Sequence, residues 1–198
     1  METRRGFLKK TIGGAALLAA AGAVPLAFRK TRLREPRAPL RFFTPEEYSV
    51  FAAVAERVLA RGLADMPPEL ATAAQRRPTP PSAAEVDVAG KADAFLAPLD
   101  AASAKELKQL LLLFDNALFS LATGGPPRPF TRMSPEQQDA HLERWATSRL
   151  AVRRTGFQAL KRLTGAVYYS QPASYASVGY PGPPYELVRT VNAPRSRR

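Results

Sequence analysis

Apolar residues recur at helical spacing in five stretches of the chain, and no stretch alternates between apolar and polar residues as a half-buried strand does. Four of these stretches follow a Ser or Thr that has Glu or Gln three positions later, which is the capping-box pattern of a helix N-terminus. The pattern therefore predicts an all-α fold, an irregular bundle of about five helices after an N-terminal signal helix. The four capping residues are Thr44, Ser82, Ser103 and Ser134.

The first predicted helix begins at Thr44 and is stopped by Gly62. Residues 63–81 are rich in proline and lack an apolar stripe, so we expect a surface loop there. The second helix follows Ser82 and ends at Pro98. The positions of these two helices expected to face the core are Tyr48, Phe51, Ala52, Ala55, Val58, Leu59, Val86, Ala89, Phe95 and Leu96.

The third predicted helix opens at Ser103 and contains the most hydrophobic segment after the N-terminal region, Leu107 to Leu121. Leu110 to Phe114 is apolar on every side, and a helix without a polar face must be surrounded by protein. We therefore expect this helix to be the central one. Its length, with Asp115 and Asn116 in the middle, argues against insertion into a membrane.

The last two predicted helices follow Ser134 and Leu150. The fourth turns Trp145 inward and places the single histidine, His141, on the solvent side. The fifth runs from Leu150 to about Tyr169. Its predicted core positions are Phe157, Leu160, Leu163, Thr164, Val167 and Tyr168, and its predicted solvated positions are Arg153, Arg154, Lys161 and Arg162.

The N-terminus carries two adjacent arginines, Arg4 and Arg5, followed after one spacer by Phe7, Leu8 and Lys9. This pattern, ahead of an uncharged segment, is typical of a bacterial twin-arginine export signal. That pathway transports proteins that have already folded. The sequence thus predicts the twin-arginine translocase as a partner and a folded cargo.

The uncharged segment, residues 11–28, is only marginal as a permanent membrane span. Ala21 and Ala23 provide an Ala-x-Ala site for signal peptidase, and a cut after Ala27 is the alternative. We assign residues 1–27 to the signal and expect it to be cleaved. Without cleavage, the segment would remain as a weak anchor.

The chain contains no cysteine and one histidine. The missing cysteines exclude disulfides, a thiol nucleophile, cysteine-ligated iron–sulfur clusters and c-type haem attached to this chain. Asp87, Asp93 and Asp139 remain as candidates for general acid or base, but they fall on helix faces without a paired carboxylate at fixed spacing. The composition therefore argues against an enzyme and against a cofactor in this chain.

The net charge is +12, and much of it is local. Residues 29–41 hold six basic side chains against Glu35 alone, and the C-terminus is also basic. Such clusters can be solvated tails or can bind anionic lipid or an acidic partner, while export argues against nucleic acid. The predicted organisation after the signal is a basic tether (28–43), a helical domain (44–185) and a basic tail (186–198).

Two C-terminal segments are the most distinctive part of the chain after the signal: Tyr168-Tyr169-Ser170-Gln171-Pro172 and Gly179-Tyr180-Pro181-Gly182-Pro183. They resemble the C-terminal signature of the gluconate 2-dehydrogenase subunit 3 family, the small subunits of membrane-associated flavin dehydrogenases. The resemblance extends to Pro81–Ala89 and to Met133–Gln137 ahead of Trp145.

The resemblance implies an accessory subunit without its own cofactor. In such complexes a large flavin subunit with FAD oxidises a sugar or sugar acid, and a cytochrome c subunit with c-type haem passes electrons to the respiratory chain. The small subunit carries the export signal and stabilises the flavin subunit, which implies a periplasmic location associated with the inner membrane. The residues implied in partner binding are Tyr168, Tyr169, Pro172, Gly179, Tyr180 and Gly182.

Two alternatives stay open at this point. The tyrosine rings could simply pack the end of the bundle. The chain could also be a free-standing exported α-helical binding module that has no dehydrogenase partner.

Overall fold

The computed structural model describes residues 31–64 and 77–183, so the predicted signal and the basic tail lie outside the described residues. Within these two ranges the chain is all-α and has no strand, which confirms the predicted fold class. The elements are α1 (Pro45–Ala64), α2 (Ala83–Val86), α3 (Val88–Leu96), α4 (Ala101–Phe114), α5 (Ala117–Ala122), a 3-10 turn (Phe130–Arg132), α6 (Pro135–Ala146), α7 (Ala151–Tyr169) and α8 (Pro172–Val178).

Capping boxes form at three of the four predicted helix starts. At α1 the Thr44 amide donates to Glu47 Oε2 at 2.9 Å, and the Glu47 amide donates back to Thr44 Oγ1 at 3.3 Å. The same reciprocal pair of bonds opens α2 at Ser82 and α6 at Ser134. These local signals place a helix start independently of the tertiary fold.

The prediction for the third helix start was wrong by a few residues. Asp100 is the N-cap of α4, and its carboxylate accepts hydrogen bonds from the amides of Ala102 and Ser103. The helix therefore begins before Ser103, because the Asp100 carboxylate accepts the orphan amides of a first turn that lies three residues earlier. At the other end of the first helix, α1 continues two residues beyond Gly62, to Ala64.

Two predicted helices are each broken into two by a short polar side chain. Asp87 adopts a left-handed conformation (φ 56°, ψ 50°) that ends α2, and its carboxylate accepts the Gly90 amide at the start of α3. Asp115 ends α4, and the Asn116 side chain caps α5 by accepting the Phe119 amide at 2.9 Å. Asp and Asn favour such breaks because their side chains compete with the helix for backbone amides.

The central helix is α1 and not α4, so that prediction was wrong. α1 packs against α2, α3, α4, α6, α7 and the 3-10 turn, and Phe51 and Val54 near its middle are fully buried. In α4, burial is confined to the C-terminal end, and Leu107 and Leu110 are only partly covered. Leucines lie on every side of α4, but only Leu111, Leu113 and Phe114 are buried in the core.

An aromatic core joins α4, the 3-10 turn and α6. The ring of Phe114 lies 4.8 Å from Phe130, 4.9 Å from His141 and 4.7 Å from Trp145, measured between centroids. His141 is buried, which contradicts the predicted solvent position, since it lies one helical turn before Trp145 on the same face of α6.

Two further positions were assigned to the wrong side of their helices. Phe95, predicted to face the core, is 65% exposed, while Ala92 and Leu96 on α3 are buried. Arg153, predicted to be solvated, is only 5% exposed and lies over the rings of Trp145 and Phe119.

Residues 31–43, predicted as a basic tether, run across the helical body. The Arg34 guanidinium bonds to both carboxylate oxygens of Glu56 on α1, at 2.6 and 2.8 Å. The Arg34 amide donates to Ser49 Oγ at 2.8 Å, and the Thr31 hydroxyl donates to Asp115 Oδ2 at 2.7 Å. We call residues 31–43 the N-terminal strap.

Candidate partner-binding site

The two adjacent tyrosines at the end of α7 have different environments. Tyr168 is 3% exposed, and its hydroxyl donates to the Pro81 carbonyl at 2.8 Å, ahead of α2. Burial raises the pKa of the Tyr168 phenol. Tyr169 is 52% exposed, and its ring meets the Tyr168 ring edge-on at 5.0 Å. Tyr168 therefore packs the end of the bundle, whereas Tyr169 is available to a partner.

A short helix, α8 (Pro172–Val178), joins the two distinctive C-terminal segments. Pro172 occupies its first turn and is exposed, and Gly179 caps its C-terminus. Proline at the start and glycine just past the end of a helix are favoured positions for both residues. On its inner face, Ser174 and Ser177 are buried, and their hydroxyls donate to the backbone carbonyls of Gln171 and Ser174.

Gly179 fixes the chain direction after α8. Its φ of 70° is left-handed, and a Cβ at this position would lie 2.9 Å from the guanidinium carbon of Arg77. Arg77 in turn donates from Nη1 to the Val178 carbonyl at 2.7 Å. The left-handed backbone conformation therefore favours glycine here, whereas the exposed end of the Arg77 side chain could shift to make room for a Cβ.

Tyr180 leaves this turn with its ring supported by Tyr175. The Tyr180 amide donates to the Tyr175 carbonyl at 2.9 Å, and the two rings pack edge-on at 4.9 Å. Gly182 has a φ of 100° and lies close to the Tyr175 ring: a Cβ at this position would be 3.7 Å from a ring carbon. Tyr180 nevertheless remains 43% exposed.

Tyr169, Val178 and Tyr180 are the large exposed side chains at the ends of α7 and α8 and just after α8, and we call this set the tyrosine face. Tyr175 connects its parts, since its ring supports Tyr180 while its hydroxyl donates to the Ser170 carbonyl, next to Tyr169, at 3.2 Å. Exposed tyrosines held in a fixed conformation bury large area on binding at a small cost in side-chain entropy. This surface is therefore suited to contact with another protein.

The three aspartates considered for acid–base chemistry all have structural roles. Asp93 accepts the backbone amides of residues 41–43, and Asp87 caps Gly90. Asp139 forms a two-point ion pair with Arg57, with Arg57 Nε 2.9 Å from Oδ1.

The described ranges contain no group of three or more His, Asp or Glu side chains that could hold a metal ion. In those same ranges, no helix is both long and apolar enough to cross a bilayer.

These features describe a small helical protein whose distinctive surface is a supported pair of exposed tyrosines. The sequence model of the gluconate 2-dehydrogenase subunit 3 family matches residues 45–182, from the first residue of α1 to the glycine beside Tyr175. The match covers more than half of the chain, so the protein belongs to that family. The family name implies a subunit of a multi-subunit dehydrogenase complex. No curated protein and no solved structure matches the chain.

Proposed function

We propose that the protein is the non-catalytic accessory small subunit of an exported flavin-dependent dehydrogenase that oxidises a sugar or sugar acid. Its role is to support the folding, stability and twin-arginine export of the flavin subunit. The observation that carries this proposal is the tyrosine face, which lies inside the residues matched by the family model.

The chemistry in this complex belongs to the partners. The flavin subunit holds FAD and removes electrons from the substrate, and a cytochrome c subunit accepts them on its haem. The accessory subunit contributes a binding surface. Support for this division comes from the described aspartates, whose carboxylates are engaged with backbone amides or arginine.

The twin-arginine signal gives the accessory subunit a second role. A flavin subunit without its own signal can cross the membrane only when it is bound to a folded partner that has one. Arg4 and Arg5 would recruit the translocase for both chains, and the complex would then reside in the periplasm, associated with the inner membrane through its partners.

The experiment changes the two exposed rings together. In Tyr169→Ala/Tyr180→Ala, the flavin subunit should co-purify at about one tenth of the wild-type yield or less, since anchors of this kind cost about 1 kcal/mol or more each when truncated. The circular dichroism spectrum should stay helical, because neither ring is buried.

Phe95→Ala is the matched control, since it removes an even more exposed aromatic ring from α3. It should leave the yield of the flavin subunit unchanged. If the double variant recovers its partner at wild-type yield, the contact lies elsewhere on the surface. If the wild-type protein recovers no flavoprotein, the accessory-subunit function is wrong and a free-standing binding module replaces it.

A further inference from the structure

Two arginines meet where the end of α6 approaches the start of α7, and neither forms an ion pair within the described residues. Arg144 lies in the last turn of α6, and Arg153 lies in the first turn of α7. In both side chains Nε and Nη2 are buried and have no hydrogen-bond partner in the described part of the chain. An arginine that is 95% buried normally has an anion beside it, because a desolvated charge without a partner is costly.

The aromatic rings nearby compensate Arg153 only in part. Its guanidinium carbon lies 5.4 Å from the centroid of Trp145 and 5.9 Å from that of Phe119. Ring faces attract a cation but offer no acceptor in the guanidinium plane, where the N–H groups point. Burial lowers the pKa of Arg153, and the charge of Arg144 lowers it further, so the two cations destabilise each other.

A third polar group faces the same place from α5. Ser120 Oγ is buried and without a hydrogen-bond partner among the described residues. Gly125 lies next to this hydroxyl, because a Cβ added at Gly125 would clash with Ser120 Oγ. The same Cβ would lie 3.1 Å from Arg144 Nη2. Glycine at position 125 therefore preserves the space beside these two groups.

We propose that Arg144, Arg153 and Ser120 form a binding site for a carboxylate that comes from outside the chain. Guanidinium groups bind carboxylates through paired N–H donors, and the serine hydroxyl adds another donor. Three exposed leucines lie on the elements that carry this site: Leu118 and Leu121 on α5, and Leu150 directly before α7. Exposed apolar side chains on the elements that carry a desolvated charge favour burial against another protein, so we assign the carboxylate to an acidic side chain of a partner protein.

The first experiment tests the site with acetate as the probe. Sodium acetate is titrated into the full-length protein against sodium chloride at equal ionic strength, and the Nε–H signals of arginine are followed by NMR. The signal absent from Arg153→Lys identifies Arg153. A free carboxylate in the site moves that signal downfield in a saturable way, and the control Arg162→Lys, which changes an exposed arginine of α7, responds as the wild type does.

The second experiment tests the partner as the source and rests on the proposed function. Arg153→Met should reduce co-purification of the flavin subunit about tenfold or more, because truncating one side of a buried charge pair acts on the lifetime of the complex. Arg162→Met should have no effect. Gly125→Ala keeps both arginines but fills the space between the polar groups, so it should reproduce the loss even if Arg153→Met folds poorly.

The two experiments together decide the proposal. Loss of the flavin subunit in Arg153→Met and Gly125→Ala, with Arg162→Met unaffected, identifies a carboxylate of the partner. A saturable acetate response without that loss identifies a free carboxylate as the ligand. If neither response occurs, the site does not exist. If the wild type recovers no flavoprotein, the proposed function fails, and the acetate titration alone decides whether the arginines bind a carboxylate.

Discussion

The Asp93 side chain attaches the N-terminal strap to α3, and its removal should be one of the most destabilising single changes in the protein. Asp93 is 3% exposed, and its carboxylate accepts three backbone amides: Arg41 at 2.7 Å, Phe42 at 3.0 Å and Phe43 at 2.8 Å. We consider two variants, Asp93→Ala, which removes all three acceptors, and Asp93→Asn, which keeps one carbonyl oxygen.

The expected magnitude follows from these three bonds. A hydrogen bond to a charged group contributes about 1.5–3 kcal/mol, and a buried amide left without an acceptor costs about 1–3 kcal/mol. The Phe43 amide is buried, whereas the other two can partly recover their bonds with water. Asp93→Ala should therefore lower the free energy of unfolding by about 3–5 kcal/mol, and Asp93→Asn by about 2 kcal/mol. Small domains have about 5–15 kcal/mol in total, so the alanine variant would be close to unfolding.

The assay is urea unfolding followed by circular dichroism, together with hydrogen exchange at the Phe43 amide. That amide should lose protection in Asp93→Asn before the amides of α1 do, because its acceptor is weakened locally. Glu106→Ala is the control, since it removes an exposed carboxylate from α4 and should leave the urea midpoint nearly unchanged. A midpoint for Asp93→Ala equal to that of the control, with Phe43 still protected, would refute the role of these three bonds.

Two further predictions concern the buried histidine and the export signal. Burial, with smaller contributions from Arg144 and Arg153, lowers the pKa of His141 from 6.5 to about 3. Between these two pH values the unfolded protein binds more protons at His141 than the folded protein does. The free energy of unfolding is therefore unaffected by the titration of His141 above pH 6.5 and decreases as the pH falls toward 3. His141→Phe should remove this decrease, which is about 2 kcal/mol near pH 5. The melting temperature of the variant should then fall less than that of the wild type between neutral pH and about pH 5. Parallel plots of melting temperature against pH for the two proteins would contradict this prediction. Replacing Arg4 and Arg5 by lysine should stop export, because the translocase requires the arginine pair, whereas a generic basic leader would tolerate lysine. The measurement is cell fractionation. An undiminished amount of protein in the periplasm would rule out the twin-arginine assignment.

The helix starts were the most predictable part of the fold, and the helix interiors were less so. Ser82 and Ser134 define their helices through bonds to residues three positions away, which are visible in the sequence. At Asp87 and Asn116 the chain could either continue the preceding helix or end it and begin a new one that the side chain caps. That choice is decided by tertiary packing, which no local pattern contains.

Burial on the polar helices was harder to predict for a related reason. α6 has a narrow apolar stripe, so a small rotation decides whether His141 or its neighbours face Phe114. Arg153 is polar by type, and its position over Trp145 could be predicted only if the packing of α6 against α7 were known. The charge of the strap left solvated tails and binding to lipid or an acidic partner open, whereas its backbone amides are what hold it to Asp93.

The candidate site was partly visible in the sequence. The aromatic segment after α7 was found from its composition, but adjacent tyrosines on a helix differ by about 100° in direction. Which of Tyr168 and Tyr169 is exposed depends on the contact with Pro81, which is far away in the sequence. The arginine site had no signal of its own, since Arg144 and Arg153 come together only through the packing of α6 against α7.

The tyrosine face and the arginine site lie at opposite ends of one helix, and this separation allows each to be tested alone. Arg153 is in the first turn of α7 and Tyr169 is its last residue, so their backbones are about 24 Å apart at 1.5 Å per residue. Substitutions more than about 10 Å apart without shared partners usually act independently on stability and binding. A loss of partner caused by Arg153→Met is therefore not an indirect effect on Tyr169. A protein that contacts both surfaces must extend along α7, and a standard interface of about 800 Å² per partner is large enough to do so.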